Sequence, residues 1–240
     1  MKNFNYGLIG CGAAGKVHAY YFSSHESIGS IFTVDENPEI LKSFTKLFNP
    51  RATYSDYKGL FDEQNLDVVS VSTPPFFHKE QVFGAAKKGA SVLCEKPLAT
   101  NLVDAREMVR ICNDLGVTLG VMLPRRFYNN SRAVKEVIER GELGDILEVS
   151  FNLECYKDAE YYSTWRGKKA MAGGGVLMSQ SIHSIDQLVY LFGKPVEVRG
   201  NVRITRDYLE IEDEAKAEIR FASGIMAKIS ATANSEKTWQ

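Results

Sequence analysis

The segment Gly10-Cys11-Gly12-Ala13-Ala14-Gly15 constrains this chain more than any other stretch. An apolar run over 6–9 leads into it, and a helical pattern over 13–23 leaves it. Glycines in this spacing at a strand-to-helix turn have three separate reasons: Gly10 would allow a tight turn, Gly12 the close approach of a pyrophosphate, and Gly15 the packing of the helix on the sheet. The helix N-terminus would then present unpaired N–H groups and a positive dipole end to the phosphates. Asp35 stands 20 residues after Gly15, at the end of the next strand-like run. A carboxylate there hydrogen-bonds the hydroxyls of an adenosine ribose and repels a 2′-phosphate, so the pattern predicts NAD in preference to NADP. A helix N-cap role for Asp35, ahead of Pro38, is the competing reading, but it leaves the glycines unexplained.

The rest of the first half repeats the same alternation. Strands are predicted over 6–9, 31–34, 52–54, 68–72, 91–94 and 118–122, and helices over 13–23, 38–48, 79–88 and 103–115. Gly89 and Gly116 fall just past two of the helices, where a left-handed residue ends a helix well. Alternating β and α elements with apolar strands predict an α/β fold, a doubly wound parallel Rossmann sheet covered on both faces.

After about Leu123 the grammar changes. A helix is predicted over 131–140, a strand over 147–156, a polar aromatic loop over 157–171, and a second helix over 181–192. Ala215, Ala217, Ile219 and Phe221 then alternate with Lys216, Glu218 and Arg220; the pattern resumes over 225–233, as in an antiparallel hairpin with one wet face. The reading is two domains: 1–122, the dinucleotide-binding Rossmann domain, and 123–240, an α+β domain with a mostly antiparallel open sheet. A crevice between them is where a ligand would be sought. Nothing after 225–233 is predicted to return and cap that sheet, so the natural protein is expected to continue beyond Gln240.

Composition narrows the function classes. The 240 residues carry 29 Lys+Arg against 30 Asp+Glu, and no long basic run points to nucleic acid. No apolar stretch approaches the roughly 20 residues of a membrane span. The N-terminal run from Met1 to Gly7 enters a strand pattern without a signal-peptide core, which predicts a cytoplasmic protein. Cys11, Cys94, Cys112 and Cys155 stand too far apart for a disulfide framework or a metal site.

Further residues carry candidate chemistry. Ser72-Thr73-Pro74-Pro75 closes the fourth strand, so Thr73 and Pro74 are predicted to touch the cofactor, or else to form an ordinary proline turn. His78, near the next helix start, either contacts the nicotinamide side or caps. Glu95-Lys96-Pro97 follows the fifth strand. A lysine near a positively charged nicotinamide has its proton loosened by the like charge and can serve as general acid/base, although a lysine chosen at random is a solvated surface charge. A cis peptide at Pro97 would aim it. His183 and Asp186 stand one turn apart at a predicted helix start, either as an imidazole oriented by a carboxylate or as a helix-start histidine with Asp186 favourably placed near the helix dipole.

Taken together, these blocks resemble the glucose-fructose oxidoreductase, inositol dehydrogenase and rhizopine-catabolism (Gfo/Idh/MocA) oxidoreductases. The resemblance runs through Gly10–Gly15, Ser72-Thr73-Pro74 with His78, and Val92-Leu93-Cys94-Glu95-Lys96-Pro97-Leu98-Ala99. It continues through Arg126-Phe127, Trp165-Arg166-Gly167, and Gly173-Gly174-Gly175-Val176-Leu177 followed by His183 and Asp186.

The resemblance implies an NAD(P) domain followed by an α/β domain whose open sheet forms homodimers or homotetramers. It also implies a sugar, polyol or nucleotide-sugar substrate, with Lys96 and His183 as catalytic residues. Cofactor contacts are then expected from Gly10, Cys11, Gly12, Ala13, Ala14, Gly15, Asp35, Thr73, Pro74, His78, Glu95, Lys96 and Arg126. Substrate contacts are expected from Lys96, Tyr161, Trp165, Arg166, Ser179 and His183. Several polyol dehydrogenases of the family carry aspartate four residues before the histidine, where this chain has Ser179 followed by Gln180. That departure leaves the proton work to Lys96 and His183. Two rival classes share the fold, an NAD-dependent glycosidase and a non-catalytic NAD-binding regulator; the presence of both Lys96 and His183 argues against the second.

Overall fold

The computed structural model describes residues 3–239, so Met1, Lys2 and Gln240, including the first two residues of the N-terminal reading, lie outside the described residues. The chain divides into two compact units, Met1–Met122 and Leu123–Gln240.

In the first unit the elements run β1 (Phe4–Ile9), α1 (Ala13–Ser23), β2 (Ile28–Val34), α2 (Pro38–Phe48), β3 (Ala52–Tyr54), α3 (Tyr57–Glu63), β4 (Val68–Val71), α4 (His78–Lys87), β5 (Ser91–Cys94), α5 (Leu102–Asp114) and β6 (Leu119–Val121). The strands form one six-stranded sheet in the order β3-β2-β1-β4-β5-β6, and every pairing is parallel. This is the doubly wound arrangement, with its reversal of strand order between β1 and β4. The two-residue period of the strands explains why both faces are covered. Tyr6 and Leu8 of β1 pack with Ala19 and Phe44 on one side. Ile9, Val69, Val71, Val92 and Cys94 pack with Leu60, Val82 and Met108 on the other.

Helix ends follow local chemistry. Asn37 caps α2 by accepting from the N–H groups of Glu39 and Ile40, with Pro38 at the first helical position. Gly89 and Gly116 close α4 and α5 with φ of +79° and +67°, as their placement predicted. The seven-residue α3, capped by Asp56, was not expected from the sequence, being too short to show a helical period.

The second unit runs α6 (Asn129–Glu139), β7 (Glu148–Tyr156), α7 (Ala159–Tyr162), α8 (Lys169–Ala172), α9 (Val176–Ser179), α10 (Ile182–Phe192), β8 (Pro195–Arg203), β9 (Glu214–Phe221), β10 (Met226–Thr232) and β11 (Asn234–Trp239), with 3-10 turns at Pro124–Phe127 and Trp165–Gly167. Its sheet has five strands in the order β11-β7-β10-β9-β8. Leu188 of α10, with Ile185, Val189 and Phe192 beside it, packs on Ile219, Phe221, Ala227 and Ile229; Lys216, Glu218, Arg220 and Lys228 lie on the exposed face.

Three features correct the expected tail. Residues 234–239 do return, antiparallel along β7. The strand β10 pairs parallel with β7 as well as antiparallel with β9. The strand β8, unforeseen, is an edge strand whose Val196, Val198 and Val202 remain exposed, so burial never imposed a clear alternation on it. Among the described residues no helix is long and apolar enough to cross a membrane, and no group of three or more His, Cys, Asp or Glu could hold a metal ion.

Candidate functional site

The glycine loop lies at the carboxyl edge of the parallel sheet, beside the end of β4 and at the reversal of strand order. Gly10 has φ of +95°, and a Cβ there would stand 2.8 Å from the backbone of Ser72. Ser72 Oγ donates to the carbonyl of Gly10 at 2.8 Å, so the loops after β1 and β4 are tied together. At Gly15 a Cβ would meet the carbonyl oxygen of Gly10 at 2.0 Å; only glycine lets α1 sit this close to the turn. Gly12 differs, because nothing stands within 4 Å of its missing Cβ. No side chain caps α1 and no acidic residue lies in its first turn, so its dipole end is left for an anion. Cys11 is no nucleophile: burial, with the Asp35 carboxylate beside it, pushes its thiol up to about 12.

Asp35 follows β2 at the same edge. Its Oδ2 accepts from the backbone N–H of Cys11 at 2.8 Å, and Oδ1 from that of Asn37 at 2.9 Å. Asn37, not Asp35, caps α2. The capping reading of Asp35 is thereby excluded, and its carboxylate is locked onto the glycine loop with lone pairs left for hydroxyl donors.

The loops after β4 and β5 meet through histidine. His78 is fully buried. Its Nε2 lies 2.8 Å from the carbonyl oxygen of Thr73, and its Nδ1 lies 3.1 and 3.2 Å from those of Pro97 and Leu98. Burial pulls its pKa below the usual imidazole value, against the opposing pull of those carbonyls and of Glu95. Both nitrogens face backbone carbonyls, and the neutral ring donates to those of one side only, Thr73 or the Pro97–Leu98 pair, so His78 packs between the Thr73 turn and the Lys96–Pro97 loop with no ring nitrogen turned to solvent. Thr73 Oγ1 donates to Gln81 of α4 at 2.6 Å, so its side chain too is committed. The Lys96–Pro97 peptide is cis.

The sequence reading passed over His18. It lies on the inner face of α1, one turn past Gly15, only 2% exposed, with Nε2 3.1 Å from Glu95 Oε1. Glu95 Oε2 accepts from the Lys96 backbone N–H at 3.0 Å. Burial raises the Glu95 pKa, but the bonds from His18 and Lys96 outweigh it and hold the carboxyl below its usual value. The available signal was positional: a polar residue between Gly15 and Ala19 on the buried stripe of a helix.

In the second unit the glycines at the two ends of the triplet have steric causes, one in the turn itself and one in a carbonyl just ahead of β9. Gly173 ends α8 in the left-handed region with φ of +77°. A Cβ on Gly175 would collide with the carbonyl of Glu212, which accepts from Val176 N–H at 2.9 Å. The turn leads through Ser179 and Gln180 to His183 in the first turn of α10.

Gln180 donates to the Tyr161 hydroxyl at 3.1 Å. The Arg166 guanidinium lies 5.1 Å from the Tyr161 ring centre and 4.6 Å from that of Trp165. Burial raises the Tyr161 pKa, opposed by Arg166, Ser179 and Gln180. Tyr161, Trp165, Arg166 and Ser179 are thus brought together. Asp186, expected beside His183, instead accepts a fork from Arg126, with Nε at 2.8 Å from Oδ2 and 3.0 Å from Oδ1. The Arg126 guanidinium, expected among the cofactor contacts, is paired with Asp186 and lies over the Tyr190 ring.

The first unit fits NAD by its own geometry, through an open Gly12, an uncapped helix N-terminus and a carboxylate fixed beside them. Residues 4–123 match the family model described as the oxidoreductase family, NAD-binding Rossmann fold, and residues 131–240 match the GFO/IDH/MocA C-terminal domain. The chain is 27% identical to levoglucosan dehydrogenase of Pseudarthrobacter phenanthrenivorans over 98% of its own length and 68% of the relative's. It is 28% identical to 2,7-anhydro-N-acetylneuraminate hydratase of Escherichia coli, over 94% of its own length and 60% of that protein's. Among solved structures, the WlbA dehydrogenase from Bordetella pertussis in complex with NADH and UDP-GlcNAcA superposes with a TM-score of 0.93 at 30% identity, covering 99% of this chain and 72% of that one. The chain therefore spans between 60% and 68% of these two curated relatives. With both units matched, the chain belongs to the GFO/IDH/MocA oxidoreductase family, and its first unit is an NAD-binding Rossmann domain.

Proposed function

We propose that the chain serves NAD-dependent hydride transfer between nicotinamide and a secondary alcohol of a sugar, polyol or nucleotide sugar. The observation that carries this reading is the setting of Lys96. It follows β5 at the sheet edge shared by the glycine loop and Asp35, with its backbone held by Glu95. The carbohydrate names of the relatives support the substrate class.

The Gly10–Gly15 loop holds the pyrophosphate and Asp35 the adenosine ribose. Bound there, NAD would supply a hydride acceptor for the alcohol carbon, and its reduced form a hydride donor in the reverse direction. Lys96 or His183 removes the hydroxyl proton, and the other donates a hydrogen bond to the oxygen as negative charge develops on it. Tyr161 and Trp165 offer rings to a sugar face, and Arg166 offers a fork of donors. A cytoplasmic location and homo-oligomerisation through the exposed face of the second sheet complete the reading; fractionation tests the first and sedimentation the second.

The deciding experiment is Lys96→Ala, assayed at the NADH absorbance over a sugar and polyol panel. Turnover should fall by ~100-fold or more, the usual worth of a positioned acid/base, while NAD affinity stays close to the parent's. A fully active variant would remove the mechanism.

A second reading is favoured by the relative named as a hydratase: transient oxidation, elimination or addition of water, and return of the hydride. Consumption of an anhydro-sugar with no NADH accumulating would select it over the net dehydrogenase.

A further inference from the structure

A buried imidazole needs a reason to be where a leucine would pack more cheaply. His18 is enclosed by the sheet and its own helix, yet one nitrogen is aimed at a carboxylate 77 residues away in sequence. That carboxylate, Glu95, is the residue immediately before Lys96 and uses its second oxygen on the Lys96 backbone N–H. An ionised carboxylate only accepts hydrogen bonds, so the contact requires His18 to carry its proton on Nε2. The chain of contacts therefore runs from a rigid helix, through one carboxylate, to the main chain that bears the ammonium.

We propose that His18 is a positioning residue for Lys96: its Nε2–H holds Glu95, and Glu95 holds the Lys96 backbone at the carboxyl edge of the sheet. The proposal rests on the reading of Lys96 as the proton-handling group. His78 touches the same loop further along, with Nδ1 3.1 and 3.2 Å from the carbonyl oxygens of Pro97 and Leu98, while His18 acts upstream of Lys96. Rigid support of this kind matters because a displacement of ~1 Å at a reacting group can cost about 100-fold in rate.

The electrostatic consequence separates positioning from mere filling of space. The ionisable groups around the Glu95 carboxylate are His18 from α1, His78 from α4, and Lys96 and Cys94 from its own strand end. With His18 in place, part of the carboxylate's charge is spent on the Nε2–H. Without that donor, the carboxylate is free to turn its charge on the neighbouring ammonium and hold its proton more tightly. Without the carboxylate, the ammonium loses an opposite charge and releases its proton more easily.

The test reads the Lys96 amine directly, by its rate of acetylation with acetic anhydride across pH, followed by peptide mass spectrometry, with and without NAD. His18→Leu, which keeps bulk and loses the donor, should slow acetylation near neutral pH by ~3-fold or more, and Glu95→Gln should speed it by a similar factor. His18→Gln, which keeps an N–H donor, should return the rate to that of the parent. A two-bond 1H–15N spectrum should show the Nε2–H tautomer at His18. Thermal unfolding of each variant confirms that the comparison is between folded proteins.

Shifts of the same sign in His18→Leu and Glu95→Gln would mean simple loosening and would overturn the proposal. So would an unchanged rate in His18→Leu, or a His18→Gln variant that behaves like His18→Leu. The assay needs neither substrate nor turnover. Its failure leaves the dehydrogenase reading standing, whereas an active Lys96→Ala enzyme removes that reading without altering the acetylation rates.

Discussion

Asp35 and Cys11 are joined by a hydrogen bond of 2.8 Å from the Cys11 backbone N–H to the Asp35 carboxylate. The bond fastens the end of β2 to the turn after β1. It places a carboxylate beside the uncapped N-terminus of α1, so the shape of the glycine loop depends on this one side chain.

Asp35→Ala should therefore weaken NAD binding by ~10-fold or more, the range of a lost hydrogen bond to a charged group. NADP should suffer less, since the repulsion of its 2′-phosphate is relieved. Fluorescence titration with both coenzymes measures the ratio, and an unchanged ratio would clear Asp35 of the ribose role.

The glycines separate folding from binding. Gly15→Ala forces a Cβ to 2.0 Å from the Gly10 carbonyl and should cost about 1–3 kcal/mol of stability, as overpacking does. Gly12→Ala meets no protein atom within 4 Å; it should melt with the parent yet lose NAD affinity. Paired thermal melts and calorimetric titrations check both, and a destabilised Gly12→Ala would contradict the open cradle.

His78 predicts a pH dependence of folding. Its native pKa lies below the ordinary value of 6.5 because of burial, so below that pH the unfolded chain binds the proton that the native chain resists. The contribution of His78 is complete above 6.5 and is lost as pH falls toward the native value. Denaturant unfolding of the parent against His78→Gln should show a shallower fall in stability in the variant over that interval, together with a lower stability at pH 7 from the lost contacts. Parallel curves for the two proteins would show that His78 titrates as it does in the unfolded chain.

The Arg126–Asp186 fork is a structural tie of the second unit, and it is partly open to solvent on the arginine side, with 39% of that side chain exposed. Discounting for that exposure, Arg126→Lys or Asp186→Asn should each cost about 1 kcal/mol, with a positive coupling in the double-mutant cycle. Were Arg126 a coenzyme contact instead, Arg126→Lys would weaken NAD binding and leave the melting temperature alone.

Local spacing settled much of this protein. The glycine spacing of 10–15, the strands of the first unit, and Gly89 and Gly116 just past two helices are short-range patterns, legible because a strand's period or a left-handed turn shows within a few neighbouring residues, whereas the cap before Pro38 fell to Asn37 and not to Asp35. Family-like blocks carried the rest of the site residues without giving their partners.

Tertiary structure alone decided those partners. His18 found Glu95 across 77 residues, His78 came to face the carbonyls of Pro97 and Leu98, Asp186 turned to Arg126, and β10 chose β7 as its parallel neighbour. A carboxylate or imidazole has the same composition and periodicity whichever donor it meets. Which one it meets depends on how the sheet stacks its loops and which surfaces lose water, and no window along the chain contains that information.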